Sequence, residues 1–131
     1  MEQFIHHILN KYMSEELNRL PRVLIGHSMG GLIATHLAMR LPANFFAAVV
    51  LSGPAYAACN EPCTLTKKLV SGVSRCLPKL PLTHISASFV SHNKAVVELV
   101  KNDPFYCNAP LRARFLHELL QAQCEVFARV K

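Results

Sequence analysis

Residues 26–30 read Gly-His-Ser-Met-Gly, one serine set between two glycines at G-x-S-x-G spacing. A serine hydroxyl becomes a nucleophile when a base takes its proton. It becomes a useful one when N–H donors wait for the charge that develops on the attacked carbonyl oxygen. The surroundings of Ser28 suit that chemistry. The apolar, β-branched "RVLIG" precedes it and the helical pattern "MGGLIATHLAMR" follows, so Ser28 falls on a strand-to-helix turn. Such a turn strains the serine backbone, lifts the hydroxyl clear of the sheet and aims the positive end of the next helix at the reaction centre. On this reading Ser28 is the nucleophile and the Met29 backbone N–H is one of two oxyanion donors. Gly26 and Gly30 are glycines because side chains there meet neighbouring backbone, and Gly31 lets the helix approach the strand. The bare pattern arises by chance in only a few per cent of chains this long. The competing reading is a glycine-rich turn without chemistry.

An activated serine needs a histidine base and an acid to orient it. Asp103 is the only aspartate in the chain, and Ser28, Asp103 and His117 occur in the order nucleophile, acid, base. That trio is set aside. Asp103 precedes Pro104 at a helix end, where Asp serves turns. His117 lies inside an amphipathic helix beside Leu116 and Leu119. His27 is expected to point away from the hydroxyl and pack beneath the turn. His36 falls on a helix face, and His6, His7, His84 and His92 have no evident partner. Nothing before residue 22 offers a second oxyanion donor. The expectation is therefore a chain that holds a nucleophile without its acid and base, as a fragment, a truncated product or a partial gene model.

The elements that must position Ser28 are legible from periodicity. "MEQFIHHILNKYMSEEL" reads as an amphipathic helix over about residues 2–19, with Phe4, Ile5, Ile8, Leu9 and Tyr12 on one side. "RVLIG" and "FAAVVLSG" read as buried strands, with a helix from about Met29 to Arg40 between them that stops before Pro42. That order implies parallel strands with crossover helices, an α/β sheet covered on both faces. Two strands alone leave edges and a face open. After Pro54 the pattern turns helical. Leu65, Leu69, Val73 and Leu77 recur every four residues as one apolar stripe. "NKAVVELVKN" is a short helix ending near Asp103-Pro104, "LRARFLHELLQAQCEVFARVK" is a final helix, and nothing past residue 54 reads as a strand.

"LIGHSMGG" resembles the elbow of α/β-hydrolase-fold serine hydrolases, and of the monoacylglycerol lipase family in particular. "AAVVLSGP" is similar to that family's next strand, and "SHNKAVVELVKNDPFYCNAPLRARF" to its lid and the return to the core. The resemblance implies an α/β chain that is a fragment of the α/β-hydrolase fold with a helical lid. It implies a partial core with the nucleophile elbow over 1–54, a lid or cap over 55–105 and a helix returning to the core over 106–131. It further implies a lipid ester substrate cleaved through a Ser28 acyl-enzyme, no cofactor, peripheral membrane contact, and acyl-chain contacts from Leu65, Leu69, Val73 and Leu77 on the lid. The other functional reading is a catalytically inactive, truncated remnant that binds lipid or a protein partner.

Composition bounds these readings. The chain has 131 residues, is 51% apolar and 17% charged, and carries a net charge of +6, which is globular rather than disordered. The basic residues are spread singly apart from Lys67-Lys68, with no basic block interleaved with aromatics, which argues against nucleic acid. No apolar run reaches the length of a membrane span. The five cysteines form an odd set without a leader pattern, which suits reduced thiols in the cytoplasm, at most against a membrane surface. Cys59 and Cys63 make a C-x3-C pair with no second pair after it, so loop or packing cysteines are preferred to a metal site.

Overall fold

A computed structural model describes residues 1–15, 19–56, 64–89 and 91–129, the side chains of residues 64–67 excepted. The chain divides into two compact units. One comprises residues 1–61 with 122–131, the other residues 62–121.

The first unit opens with α1 (Glu2–Tyr12) and is organised on β1 (Val23–His27), α2 (Met29–Arg40) and β2 (Ala48–Ser52). β1 and β2 pair in parallel, in register from Val23–Ala48 to His27–Ser52. Parallel strands need a crossover, and α2 supplies it. Its end follows from Pro42, which forces Leu41 into an extended conformation (φ −86°, ψ 158°) while the Leu41 N–H still reaches the Leu37 carbonyl. Gly31, Leu32, Ala34 and Leu37 form the buried side of α2, and the helix packs against both strands.

The sheet is not covered on both faces. In β1 Leu24 and Gly26 are the covered positions, whereas Val23 and Ile25 are exposed, Ile25 by 72%. All five residues of β2 are exposed. The strand period of two puts Leu24 and Gly26 on one face and Val23 and Ile25 on the other, and that second face is left open. In α1, Ile5, Ile8 and Leu9 are half-buried but Phe4 and Tyr12 are exposed. His6 meets the edge of Phe45 at 6.0 Å between ring centres, and the Arg22 guanidinium lies 4.9 Å from the Phe45 ring centre.

The second unit holds α3 (Thr64–Cys76), β3 (Pro81–Thr83), a 3-10 turn (Ala87–Phe89), α4 (Lys94–Asn102), β4 (Leu111–Arg112) and the start of α5 (Ala113–Arg129). β3 and β4 pair antiparallel, so the second half does contain strands. They are too short to show a period of two, and the proline-punctuated "LPKLPL" masks the first. The Ala113 N–H donates to the Leu80 carbonyl and the Arg114 N–H to the Pro78 carbonyl, which ties the start of α5 to the same segment. α4 begins as its sequence demands: Asn93 caps it by accepting the Ala95 N–H at 3.0 Å.

The α3 stripe does not form the packed face. Leu69 and Leu77 are exposed by 60% and 57%, whereas Val70 and Ser74 are buried and Val73 is half-buried. Ser74 satisfies its hydroxyl by donating to the Ser71 carbonyl at 2.8 Å. Helix period fixes which residues share a face but not which face turns inward, and here the smaller residues do. Leu65 lies outside the described side chains, as do Cys59 and Cys63 outside the described residues. No helix among the described residues is long and apolar enough to cross a membrane.

Leu37 is 5% exposed. Leu37→Ala is expected to lower unfolding stability in urea by about 2–5 kcal/mol. Leu99→Ala, at a side chain 72% exposed, is expected to change it by no more than about 0.5 kcal/mol.

Candidate active site

β1 ends at His27 and α2 begins at Met29, so the whole change of direction falls on Ser28. Its backbone sits at φ 51° and ψ −120°, and it is the only non-glycine residue with positive φ among those described. That conformation costs on the order of 1–3 kcal/mol and persists only where neighbours hold it. The neighbours are identifiable. The Ser28 N–H donates to the Ser52 carbonyl at 3.0 Å, and the Ser28 carbonyl accepts from Gly31 at 3.0 Å, Leu32 at 3.3 Å and Ala55 at 2.9 Å. β2 and the residues after it therefore clamp the turn from one side and the first turn of α2 from the other.

Steric fit completes the clamp. A Cβ on Gly26 would lie 2.6 Å from the Gly30 carbonyl oxygen and 2.8 Å from Gly31 Cα. A Cβ on Gly31 would lie 2.8 Å from Pro54 Cβ. Gly30 differs from the expectation: beyond its chain neighbours and the backbone of its own helix, nothing comes within 4 Å of where its Cβ would stand. The steric requirement belongs to Gly26 and Gly31, because those two face each other and Pro54, while Gly30 faces outward.

Ser28 occupies the N-cap position of α2, where a serine side chain normally accepts an N–H from the first turn. Here it makes no capping bond, and the residue is exposed. The hydroxyl is thus presented rather than spent on the helix. Met29 stands at the first helical position, whose N–H has no acceptor one turn back, and the positive end of α2 points the same way.

His27 does not pack beneath the turn. It is exposed, and its Nδ1 lies 3.2 Å from Ser52 Oγ. The alternation of β1 puts His27 on the open face with Val23 and Ile25, opposite the buried Gly26. Ser52 therefore meets the turn twice, through its carbonyl and its side chain. Ser52, Pro54 and Ala55 were not singled out from the sequence as site residues. The only available signal was Gly53-Pro54 closing the second strand.

The remaining candidates have structural roles. Asp103 ends α4, and its Oδ1 accepts the Phe105 N–H at 2.8 Å, a local turn. His117 is half-buried within α5. His36 Nε2 lies 2.8 Å from the Ala122 carbonyl, so that nitrogen carries the proton and donates. Thr35 donates to the Gly31 carbonyl at 2.9 Å and accepts from the Tyr56 hydroxyl at 2.6 Å. Gln123 donates to the Ala55 carbonyl at 2.9 Å. These bonds brace α2 and the Ala55 side of the turn. Among the described residues no group of histidine, cysteine and carboxylate side chains is arranged to hold a metal.

A family model described as serine aminopeptidase, S33 matches residues 1–131. The chain belongs to this family. It is 39% identical to human monoglyceride lipase over 115 residues, which is 87% of this chain and 38% of the relative. It is 33% identical over 101 residues to the monoacylglycerol lipase of Mycolicibacterium smegmatis, which is 77% of this chain and 36% of that protein. Among solved structures, the monoacylglycerol lipase of Paleococcus ferrophilus superposes with a TM-score of 0.71 at 24% identity, over 96% of this chain and 46% of that one. A soluble variant of the Saccharomyces cerevisiae monoglyceride lipase superposes with a TM-score of 0.70 at 20% identity, over 97% of this chain and 42% of that one. The chain spans less than half the length of these relatives, and its two parallel strands with their helices are part of the α/β-hydrolase fold.

The glycine contacts give a direct check. Gly26→Ala is expected to cost at least about 1–3 kcal/mol of folding stability, because backbone atoms must move. Gly30→Ala is expected to be neutral or to stabilise by up to about 1 kcal/mol, as alanine replaces glycine in a helix. Paired urea titrations measure both.

Proposed function

We propose that this S33-family chain carries the nucleophile of a serine carboxylester hydrolase acting on monoacylglycerol or lysolipid esters. The observation that carries the reading is the exposed Ser28 side chain on a strained turn, unused as a helix cap. The similarity to monoglyceride and monoacylglycerol lipases supports the substrate class. Ser28 Oγ attacks the ester carbonyl carbon and gives its proton to a general base. The Met29 N–H holds the oxyanion of the tetrahedral intermediate. Collapse breaks the bond to the glycerol oxygen, which takes a proton as it leaves. Water then hydrolyses the acyl-serine by the same route in reverse. The acid and base of this proposal come from residues outside the 131, because Asp103 and His117 already serve a turn and a helix.

The division into a core over 1–54, a lid over 55–105 and a helix returning over 106–131 is part of the proposal. The separate compact unit at 62–121 supports a lid in that region. Leu69 on α3 and Leu77 just after it are exposed and available to an acyl chain, and the proposed contact set also includes Val73 and Leu65. Lys68 and Arg75 on the same helix suit anionic headgroups, so peripheral contact with the cytoplasmic side of a membrane belongs to the same reading. A second reading, a non-catalytic product that binds lipid or a protein partner, is favoured by the open apolar face at Val23 and Ile25.

A fluorophosphonate probe of the 131-residue chain tests the assignment. Labelling is expected at about 10⁶-fold below the rate of human monoglyceride lipase, for want of base and acid. Ser28→Ala should abolish it. Labelling that survives Ser28→Ala removes Ser28 as the nucleophile, and labelling at the relative's rate overturns the claim that acid and base lie elsewhere. No labelling at all, with saturable binding to lipid vesicles, favours the second reading.

A further inference from the structure

The second unit holds an open pocket of about 470 Å³, whose lining includes none of the residues named at Ser28. Its wall comes from three places: the segment after β3 (His84, Ser86, Ala87), the last turn of α4 (Lys101) and the loop that follows (Tyr106, Asn108). Ser86, Lys101, Tyr106 and Asn108 each carry a side-chain donor, His84 carries a second one only as an imidazolium, and none of the lining side chains is a carboxylate.

The donors are partly committed. His84 Nδ1 lies 3.0 Å from the Asn108 carbonyl oxygen. A carbonyl only accepts, so Nδ1 carries a proton and Nε2 is the ring atom left for a ligand. In the imidazolium form Nε2 donates as well. Lys101 Nζ gives one of its three protons to Glu98 Oε1 at 2.9 Å, which leaves two. That pair is solvent-exposed on both sides, with side-chain exposures of 52% and 63%, and a pair of this kind is weak enough for another anion to compete with. Ser86 Oγ lies 2.8 Å from Ser88 Oγ and accepts the Ser88 N–H at 3.3 Å, which holds its side of the wall in shape.

We propose that this pocket binds a phosphate oxyanion, held by the Lys101 ammonium and the Asn108 side-chain amide, with His84 Nε2 joining them as a donor when the ring is an imidazolium. Charge-assisted donors favour an oxyanion over a neutral polar ligand. The carbonyl end of α4 opposes an anion at this point, so the ammonium is the principal contact. The pocket is larger than one phosphate and leaves room for an organic group esterified to it. Free phosphate and a phosphomonoester lipid headgroup share the recognised chemistry. The proposal stands independently of the role of Ser28.

The test follows the imidazole signals of His84 by NMR in the full 131-residue chain, at constant pH and ionic strength. One arm titrates inorganic phosphate against sodium chloride. The other titrates dihexanoyl phosphatidic acid below its micelle concentration. The expected result is a saturable His84 shift with phosphate and none with chloride. Lys101→Gln is expected to weaken binding about tenfold. His84→Gln, followed through the Asn108 amide, should weaken it similarly. Both side chains are exposed, and circular dichroism checks that the variants keep the fold. Tighter binding of the phosphatidic acid assigns the site to a lipid headgroup, and equal affinity assigns it to the phosphate alone. A shift that does not saturate, or an affinity that Lys101→Gln leaves unchanged, overturns the proposal.

Discussion

The backbone of Ser28 lies where an L-residue does not rest unaided, and four hydrogen bonds hold it there. Its N–H is taken by Ser52, and its carbonyl is shared among Gly31, Leu32 and Ala55. Three donors on one carbonyl oxygen fix the plane of the peptide that joins Ser28 to Met29. That peptide carries the N–H proposed for the oxyanion, so the bonds that secure the strain also orient the donor. If the carbonyl lost its partners, the turn could relax towards ordinary strand or helix geometry and the hydroxyl would have a free acceptor role as a cap.

Packing serves the same end. Gly26 and Gly31 bring β1, α2 and the Pro54 segment closer than any side chain permits, and Thr35, Tyr56 and Gln123 brace the surroundings through hydrogen bonds. The buried side of α2 stabilises this arrangement through burial of Leu32 and Leu37. The sheet itself contributes less, because one face of β1 and all of β2 remain wet. In this unit the serine turn is the best-anchored feature and the sheet the least covered one.

The sequence made the turn legible because three independent signals converge there: strand period, helix period and glycines at fixed offsets. The α4 helix was equally plain, since Asn93 and Pro104 bracket it with chemistry that acts locally. What was not legible depends on distant partners. The helical period of α3 was legible, but which of its faces is covered was not, because whether Leu69 or Val70 turns inward is decided by what lies against the helix. β3 and β4 are too short to carry a pattern, and their pairing across some thirty residues leaves no local trace. His27 was misplaced for a related reason, since the strand alternation that puts it on the open face also depends on which face α2 covers. Gly30 shows the converse error: a motif position was given a steric role that its outward direction does not require.

Every backbone partner of Ser28, and each atom that crowds Gly26 and Gly31, lies between Val23 and Ala55. The strands join residues only 25 positions apart along the chain, so bringing them together closes one modest loop at a small entropic penalty. During synthesis, a ribosome that has released the chain as far as Ala55 has already delivered all the groups that bend it at Ser28. The strained turn is therefore held chiefly by local contacts, and of the braces described only the Tyr56 and Gln123 bonds are added by residues translated later.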